Sequence, residues 1–224
     1  MVVKNKKNIE RTNRHRDKIL RVAVRLFWQK SFLGTSIDDI AKAANINKAT
    51  IYYYFESKSS ILYEIIMEHV NEIYEESLPV ADSSESPENK LASLIANNLK
   101  LQMLHPGRAV LSHREWRELP LKLRRSCIDK RKKYAAIFTE IIKEIIDKNG
   151  KPVINTKLFT LFTFGLVNSM VHWYKPNGQL PSEEIVSQAV TYIMRALSHG
   201  VKFSDGSFVL RDLVASSSRT ISST

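Results

Sequence analysis

The chain has 224 residues, 43% of them hydrophobic and 25% charged, with a formal charge of +11. These are globular proportions for one large or two small domains. No apolar run reaches the roughly 20 residues of a membrane span. The single cysteine, Cys127, excludes an internal disulfide, and 7 Gly and 7 Pro are too few for a loop-rich β protein. The N-terminus is polar and basic without a signal-peptide core, so a soluble, cytoplasmic, all-α protein with polyanionic partners is expected.

Residues 1–11 are basic and polar and read as a flexible arm. Thr12 or Asn13 then offers an N-cap for a first helix. Its apolar face is Ile19, Ala23, Leu26 and Phe27, its end lies near Lys30, and Gly34 marks the turn beyond. Ser36 caps a short second helix, with Asp39 three residues on in a capping-box position and Ile40, Ala41 and Ala44 as its stripe. Asn45-Ile46-Asn47 reverses the chain: Asn45 tolerates the left-handed backbone conformation and Asn47 caps a third helix over about 48–55, with Ile51 and Phe55 inward. Ser57 caps a longer helix over about 58–77, whose inward face is Ile61, Leu62, Ile65, Ile66, Val70 and Ile73. Residues 79–89 read as a Pro/Ser-rich linker. Helices follow at about 88–104, 107–118, 122–148, 154–174 and 182–198, separated by Pro106, Pro120, Gly150-Lys151-Pro152 and Pro176-Asn177-Gly178. Residues 200–224 read as a polar tail. The implied division is a head over 1–58, a connecting helix over 59–78 and a second helical domain over 79–199.

Charge follows the same division. Residues 1–58 hold 13 Lys/Arg against 5 Asp/Glu, residues 59–99 hold 1 against 8, and residues 100–133 hold 11 against 3. Two basic blocks flank an acidic one, which suits two different anionic ligands.

Two short helices joined by a tight turn form a helix-turn-helix, in which the second helix enters the DNA major groove. That helix offers Lys48, Ala49, Thr50, Tyr52, Tyr53 and Tyr54. Ala49 and Thr50 permit close approach, Lys48 suits guanine acceptors, and tyrosine hydroxyls suit phosphates. Three consecutive helical tyrosines span about 200°, so they cannot all face one core. The stretch from Arg16 to Leu62 resembles, without a gap, the DNA-binding domain of the TetR family of transcriptional repressors. The likeness rests on the Ile-Leu-x-x-Ala-x-x-Leu-Phe first helix, Thr35-Ser36, Asp39-Ile40-Ala41 and the run Lys48 to Phe55 followed by Ser57-Lys58. Asn45, Asn47 and Tyr54 stand where Gly, Ser and His are common. The resemblance implies phosphate contacts for Thr35, Ser36, Tyr53, Tyr54 and Lys58, and groove-facing positions for Lys48, Ala49, Thr50 and Tyr52. The basic arm is expected to add phosphate or minor-groove contacts.

The resemblance also implies a C-terminal domain that dimerises and binds an inducer. The helices at 154–174 and 182–198 carry broad apolar faces (Leu158, Phe162, Leu166, Met170 and Trp173 on the first; Ile185, Ala189, Ile193, Ala196 and Leu197 on the second) and are expected to form a four-helix homodimer interface. The segments HREWRELP, RRSCIDKRKKYAAIF and HWYKPNGQLPSEEI resemble the acyl-CoA-responsive TetR repressors of fatty-acid and sterol breakdown. This implies a long-chain acyl-CoA as regulatory ligand that releases the protein from a palindromic double-stranded DNA operator. Arg108, Arg114 and Arg117 would meet its phosphates, and Trp116, Phe138, Phe162 and Trp173, with Leu111, its acyl chain. No cofactor is expected. The sequence lacks a Gly-rich phosphate loop, a nucleophile elbow and an HExxH pair, and its six histidines show no metal-ligand spacing, so no enzyme is expected. The alternative is a TetR-type repressor of an efflux or stress gene with a hydrophobic drug-like inducer, which would not need the 100–133 basic block.

Overall fold

The computed structural model describes residues 2–148 and 155–199, with side chains from Arg14 onward. Among these residues the chain forms α1 (Val2–Lys30), α2 (Ile37–Ala44), α3 (Lys48–Tyr54), α4 (Lys58–Asp82), α5 (Pro87–Leu104), α6 (Pro106–Arg114), α7 (Leu121–Lys148), α8 (Thr156–Trp173) and α9 (Ser182–His199), with a 3-10 turn at Trp116–Glu118. No strand occurs among them, so the all-α reading holds. The expected tail 200–224 and the break at 150–152 lie outside the described residues, as do the arm's side chains.

Local capping rules set most boundaries. Ser36 and Asp39 make the full reciprocal capping box of α2, and Ser57 makes another at α4 with Ser60. Asn45 adopts φ 49°, ψ 53°. Its N–H bonds the Lys42 carbonyl and the Ile46 N–H bonds the Ala41 carbonyl, each at 3.1 Å, the paired closure that ends a helix with one left-handed residue. Asn47 caps α3 through the Thr50 N–H. At Gly34 a side chain has no room, because a Cβ would stand 2.2 Å from the Lys30 carbonyl oxygen.

Three boundaries depart from the sequence reading. The first helix does not begin at Thr12 or Asn13: it is helical from Val2, with no Pro or Gly anywhere in 2–30 to stop it. The linker expected over 79–89 shrinks to Ser83–Ser86. Helix α4 continues through Pro79 to Asp82, because Pro79 lies on the exposed side while Val80 packs on the second core. The helix expected over 107–118 stops at Arg114, and the following 3-10 turn delivers Leu119, 1% exposed, into the first core.

The described residues form two cores. The first joins α1, α2, α3 and the N-terminal half of α4 (Ile61 to Val70), and takes Leu111, Leu119 and Cys127 from the second half of the chain. The second is built by α5, α7, α8 and α9 around Leu94, Phe138, Ile142 and Met170, with Ile73, Tyr74 and Val80 of α4 against it. Helix α4 is therefore common to both, and α6 touches α1 directly. At that contact a Cβ on Gly107 would lie 2.7 Å from Val24 Cγ1, so the two helices approach more closely there than a side chain allows.

Candidate functional site

The α2–α3 unit presents one exposed helix face. Lys48 and Ala49 are exposed, and Tyr52 and Tyr53 are 50% and 77% exposed. Tyr54 is half-buried against the first core and meets the Tyr53 ring edge-on at 4.9 Å. The tyrosine run thus splits as helical geometry requires, two rings outward and one inward. Lys48 bonds Asp38 of α2 at 2.9 Å, which braces the two helices and raises the lysine's pKa. Thr50 is half-buried, its hydroxyl bonded to the Asn47 cap at 2.8 Å. Ser36 is exposed at the N-terminus of α2; its hydroxyl accepts the Asp39 N–H and donates to the Asp39 carboxylate. The Ser36 backbone N–H also donates to that carboxylate, at 2.9 Å, and this bond, followed by the one from the hydroxyl, holds the Asp39 pKa below the usual carboxylate value.

Two expected phosphate ligands lie beneath this face. Thr35 is 1% exposed and its hydroxyl donates to the carbonyls of Ser31 and Leu26, so it fastens the α1–α2 turn. The Lys58 ammonium donates to the carbonyls of Phe32 and Thr35, 2.7 Å each, and stands 4.3 Å over the Phe32 ring. Partial burial lowers its pKa. Both residues hold the helix-turn-helix in place from the inside.

A half-open cavity of about 260 Å³ lies between α4, α5, α6, α7 and α8. Its lining mixes apolar residues, Val70, Ile73, Ala135 and Phe164, with polar ones, His69, Asn98, Ser112, His113, Arg131, Tyr134 and Asn168. A relay of amides runs behind it: Gln102 donates to Asn98 at 2.6 Å, and Asn98 to the Tyr134 hydroxyl at 2.8 Å. Burial raises the Tyr134 pKa, pushes His69 down to about 3 and His113 down to about 4, with neighbouring cationic groups adding to the histidine shifts. Both imidazoles are neutral at pH 7.

Comparison with known proteins agrees with this architecture from both ends. Residues 19–65 match the family described as bacterial regulatory proteins, tetR family. Residues 84–197, half of the chain, match the tetracyclin repressor-like C-terminal domain. The chain belongs to the TetR family. The HTH-type transcriptional repressor KstR2 of Mycolicibacterium smegmatis is 23% identical over 185 residues, covering 82% of this chain and 90% of that protein. Among solved structures, AibR in complex with isovaleryl coenzyme A and operator DNA superimposes with a TM-score of 0.73 at 22% identity, covering 80% of this chain and 97% of that one. The ketosteroid transcriptional regulator KstR2 of Mycobacterium tuberculosis gives 0.75 at 20% identity over 80% and 92%. At these identities the structural likeness establishes the fold. No helix among the described residues is long and apolar enough to cross a membrane.

In this TetR-family chain none of the eight residues expected to hold the ligand lines the central cavity. Arg108 faces α4 and pairs with Glu72 at 3.2 Å and Glu68 at 3.7 Å. Arg114 is exposed, lies 3.6 Å from Glu115 and edges a separate cleft between α1, α6 and α8. Arg117 stacks over Trp116 at 5.3 Å, and Trp116 packs on the first core. Phe138 is one ring removed, 4.8 Å behind Phe164. Phe162 and Trp173 point away from the domain, 68% and 52% exposed, and Leu111 belongs to the first core. The cause is phase: α8 turns Leu158, Leu161 and Phe162 outward, and Phe164 and Asn168 toward the cavity. Met170, expected on the dimer face, is 1% exposed in the second core, with Leu166 packed against it. The residues that sequence reasoning passed over are His69, His113 and Arg131. His69 had a signal, since it continues the inward rhythm Leu62, Ile65, Ile66 and is a polar residue on an apolar stripe.

Proposed function

We propose that the chain is a homodimeric, ligand-responsive transcriptional repressor whose release from a palindromic operator is induced by an acyl-CoA, with genes of lipid degradation as its targets. The observation that carries ligand response is the double membership of α4. Its Ile61, Leu62, Ile65 and Ile66 build the core of the reading head, while His69, Val70 and Ile73 wall the cavity one turn further along. A ligand that prefers one arrangement of the α4 wall biases the position of the head, and the size of the effect equals its differential affinity for the two arrangements.

Exposed Ser36, Lys48, Ala49, Tyr52 and Tyr53, with Thr50 and Tyr54 at the margin, supply the DNA surface. The outward row Leu158, Leu161, Phe162 and Trp173 of α8, with open space at Gly165, supports pairing of two protomers through α8 and α9. Three observations support an acyl-CoA. The cavity lining includes Val70, Ile73, Ala135 and Phe164. Arg114, Arg117, Lys122, Arg125, Lys132 and Lys133 remain exposed to meet phosphates. The AibR structure contains isovaleryl coenzyme A.

Operator mobility shifts titrated with acyl-CoAs, free fatty acids and CoA test the reading: release by an acyl-CoA but not by CoA is expected, and no release by any acyl-CoA at saturation overturns it. The drug-like alternative is separated by neutralising Lys122, Arg125, Lys132 and Lys133 together. Acyl-CoA induction should weaken at least tenfold, whereas a drug-type response would be unchanged.

A further inference from the structure

The central cavity holds more unsatisfied polar chemistry than a cavity meant only for hydrocarbon. Its Arg131 guanidinium donates to the Ser112 carbonyl and, at 2.9 Å, to the Ser112 hydroxyl, with the Trp116 ring 5.4 Å away. Among the described residues no carboxylate pairs with it, although Arg16, Arg108 and Lys130 each find one. A part-buried cation facing a cavity without a counter-charge is an electrostatic cost to the free protein.

His69 lines the same cavity, 1% exposed, and neither of its ring nitrogens has a hydrogen-bond partner in the protein. Its neutral ring offers one donor and one acceptor. The His113 ring lies edge-on to it at 6.4 Å. Buried polar groups normally find partners, and such exceptions mark strain or a missing ligand. Val70, Ile73, Ala135 and Phe164 line the same cavity, and about 260 Å³ is less than the roughly 300–1,000 Å³ of pockets that enclose a drug-sized molecule.

We infer that this cavity is a short-acyl site: Arg131 and His69 hold the carbonyl or carboxylate oxygen of the ligand, and Val70, Ile73, Ala135 and Phe164 enclose a short or branched hydrocarbon. The inference rests on the reading of the second domain as ligand-responsive and replaces the long-chain acyl group expected from the sequence with a short one. The acyl oxygen is common to a free acid and a CoA thioester. In the thioester the nucleotide stays outside, since the cavity cannot contain it. The free energy lost in leaving Arg131 without a counter-charge and His69 without a hydrogen-bond partner is recovered when the acyl oxygen arrives, which sharpens discrimination against a ligand lacking that oxygen.

Calorimetric titration of the full chain with hexanoate, hexanoyl-CoA, palmitoyl-CoA and hexan-1-ol tests the site, and operator release is read in parallel. Hexanoate or hexanoyl-CoA should bind one per protomer, and whichever is the tighter identifies the source of the acyl group. Palmitoyl-CoA and hexan-1-ol should bind at least tenfold more weakly. Arg131→Gln should weaken acyl binding by about 10–100-fold, the worth of a hydrogen bond to a charged group, and leave hexan-1-ol unchanged, with Arg131→Lys intermediate. His69→Phe should weaken acyl binding while raising the Tm of the unliganded protein by about 2–4 °C, a pairing that a purely structural role would not produce; it also decides the matter if Arg131→Gln fails to fold. Equal affinity of Arg131→Gln and the parent, preference for palmitoyl-CoA, or no acyl binding at millimolar concentration overturns the inference. Binding without operator release upholds the site and refutes the inducer reading. Release that is indifferent to Arg131 and His69 does the reverse.

Discussion

Lys58 illustrates how a residue type can suit two roles and geometry chooses one. Its position at the start of α4 resembles a phosphate-contacting site, yet its ammonium spends two of its three protons on the carbonyls of Phe32 and Thr35. Lys58→Met should therefore destabilise the protein by about 1–2 kcal/mol in urea unfolding while leaving the salt dependence of operator binding unchanged. A slope reduced by about one ion would restore the phosphate contact. The two cavity histidines carry a second prediction. Their folded pKa values, about 3 and about 4, lie below the unfolded value of 6.5, so between pH 6.5 and 4 the unfolded chain binds protons that the folded one refuses. Stability is then fully present above pH 6.5 and falls as pH is lowered, by up to about 1.4 kcal/mol per pH unit for each ring. Thermal melts across this range should show the loss, and His69→Phe should remove about half of its slope.

At the scale of elements, the proposed coupling would run through the way α4 and α6 seat against α1. Carboxylates on one face of α4 form a ladder: Glu64 and Glu68 take Arg16 of α1, while Glu68 and Glu72 take Arg108 of α6. Burial raises the Glu68 pKa, against the pull of both arginines. Beside this ladder Gly107 lets α6 lie against Val24 and Trp28. Gly107→Ala should force the helices apart and cost about 1–3 kcal/mol by overpacking, visible as a lower denaturation midpoint. The same variant should shift the ligand concentration needed for operator release, because α6 also carries Ser112 and His113 of the cavity. An unchanged midpoint together with unchanged release would show that the α1–α6 contact is not part of the coupling.

For the whole molecule, assembly is argued from the outward row of α8. Leu158, Leu161, Phe162 and Trp173 are each about half exposed or more, and together they make the kind of contiguous apolar surface that soluble proteins cover with a partner. Phe162→Arg should yield a monomer in light scattering. It should also lose operator affinity, because one reading head forfeits the second half-site. A dimer that persists in this variant would place the interface elsewhere.

The caps at Ser36, Asn45, Asn47 and Ser57, the buried face of α1 and the division of the tyrosine run were all legible in the sequence, because each depends on residues within one or two helical turns. So was the family, since the reading head is a local motif packed into some fifty residues. Where the chain packs against distant parts of itself, local rules gave way: Val80 carried α4 past Pro79, and Leu119 ended α6 early. The proposed ligand site was the least legible part. Its walls come from five helices, so a basic run near the right place said nothing about which arginine turns inward. Arg108 was drawn to acidic α4, Arg117 to the Trp116 ring, and, among the described residues, Arg131 alone of the arginines to the cavity. Composition and spacing determined that this chain reads DNA with a basic helix-turn-helix. Which side chains line its central cavity was decided by tertiary structure, because the phase and crossing of α4, α6, α7 and α8 are set by packing between them and not by any one of their sequences.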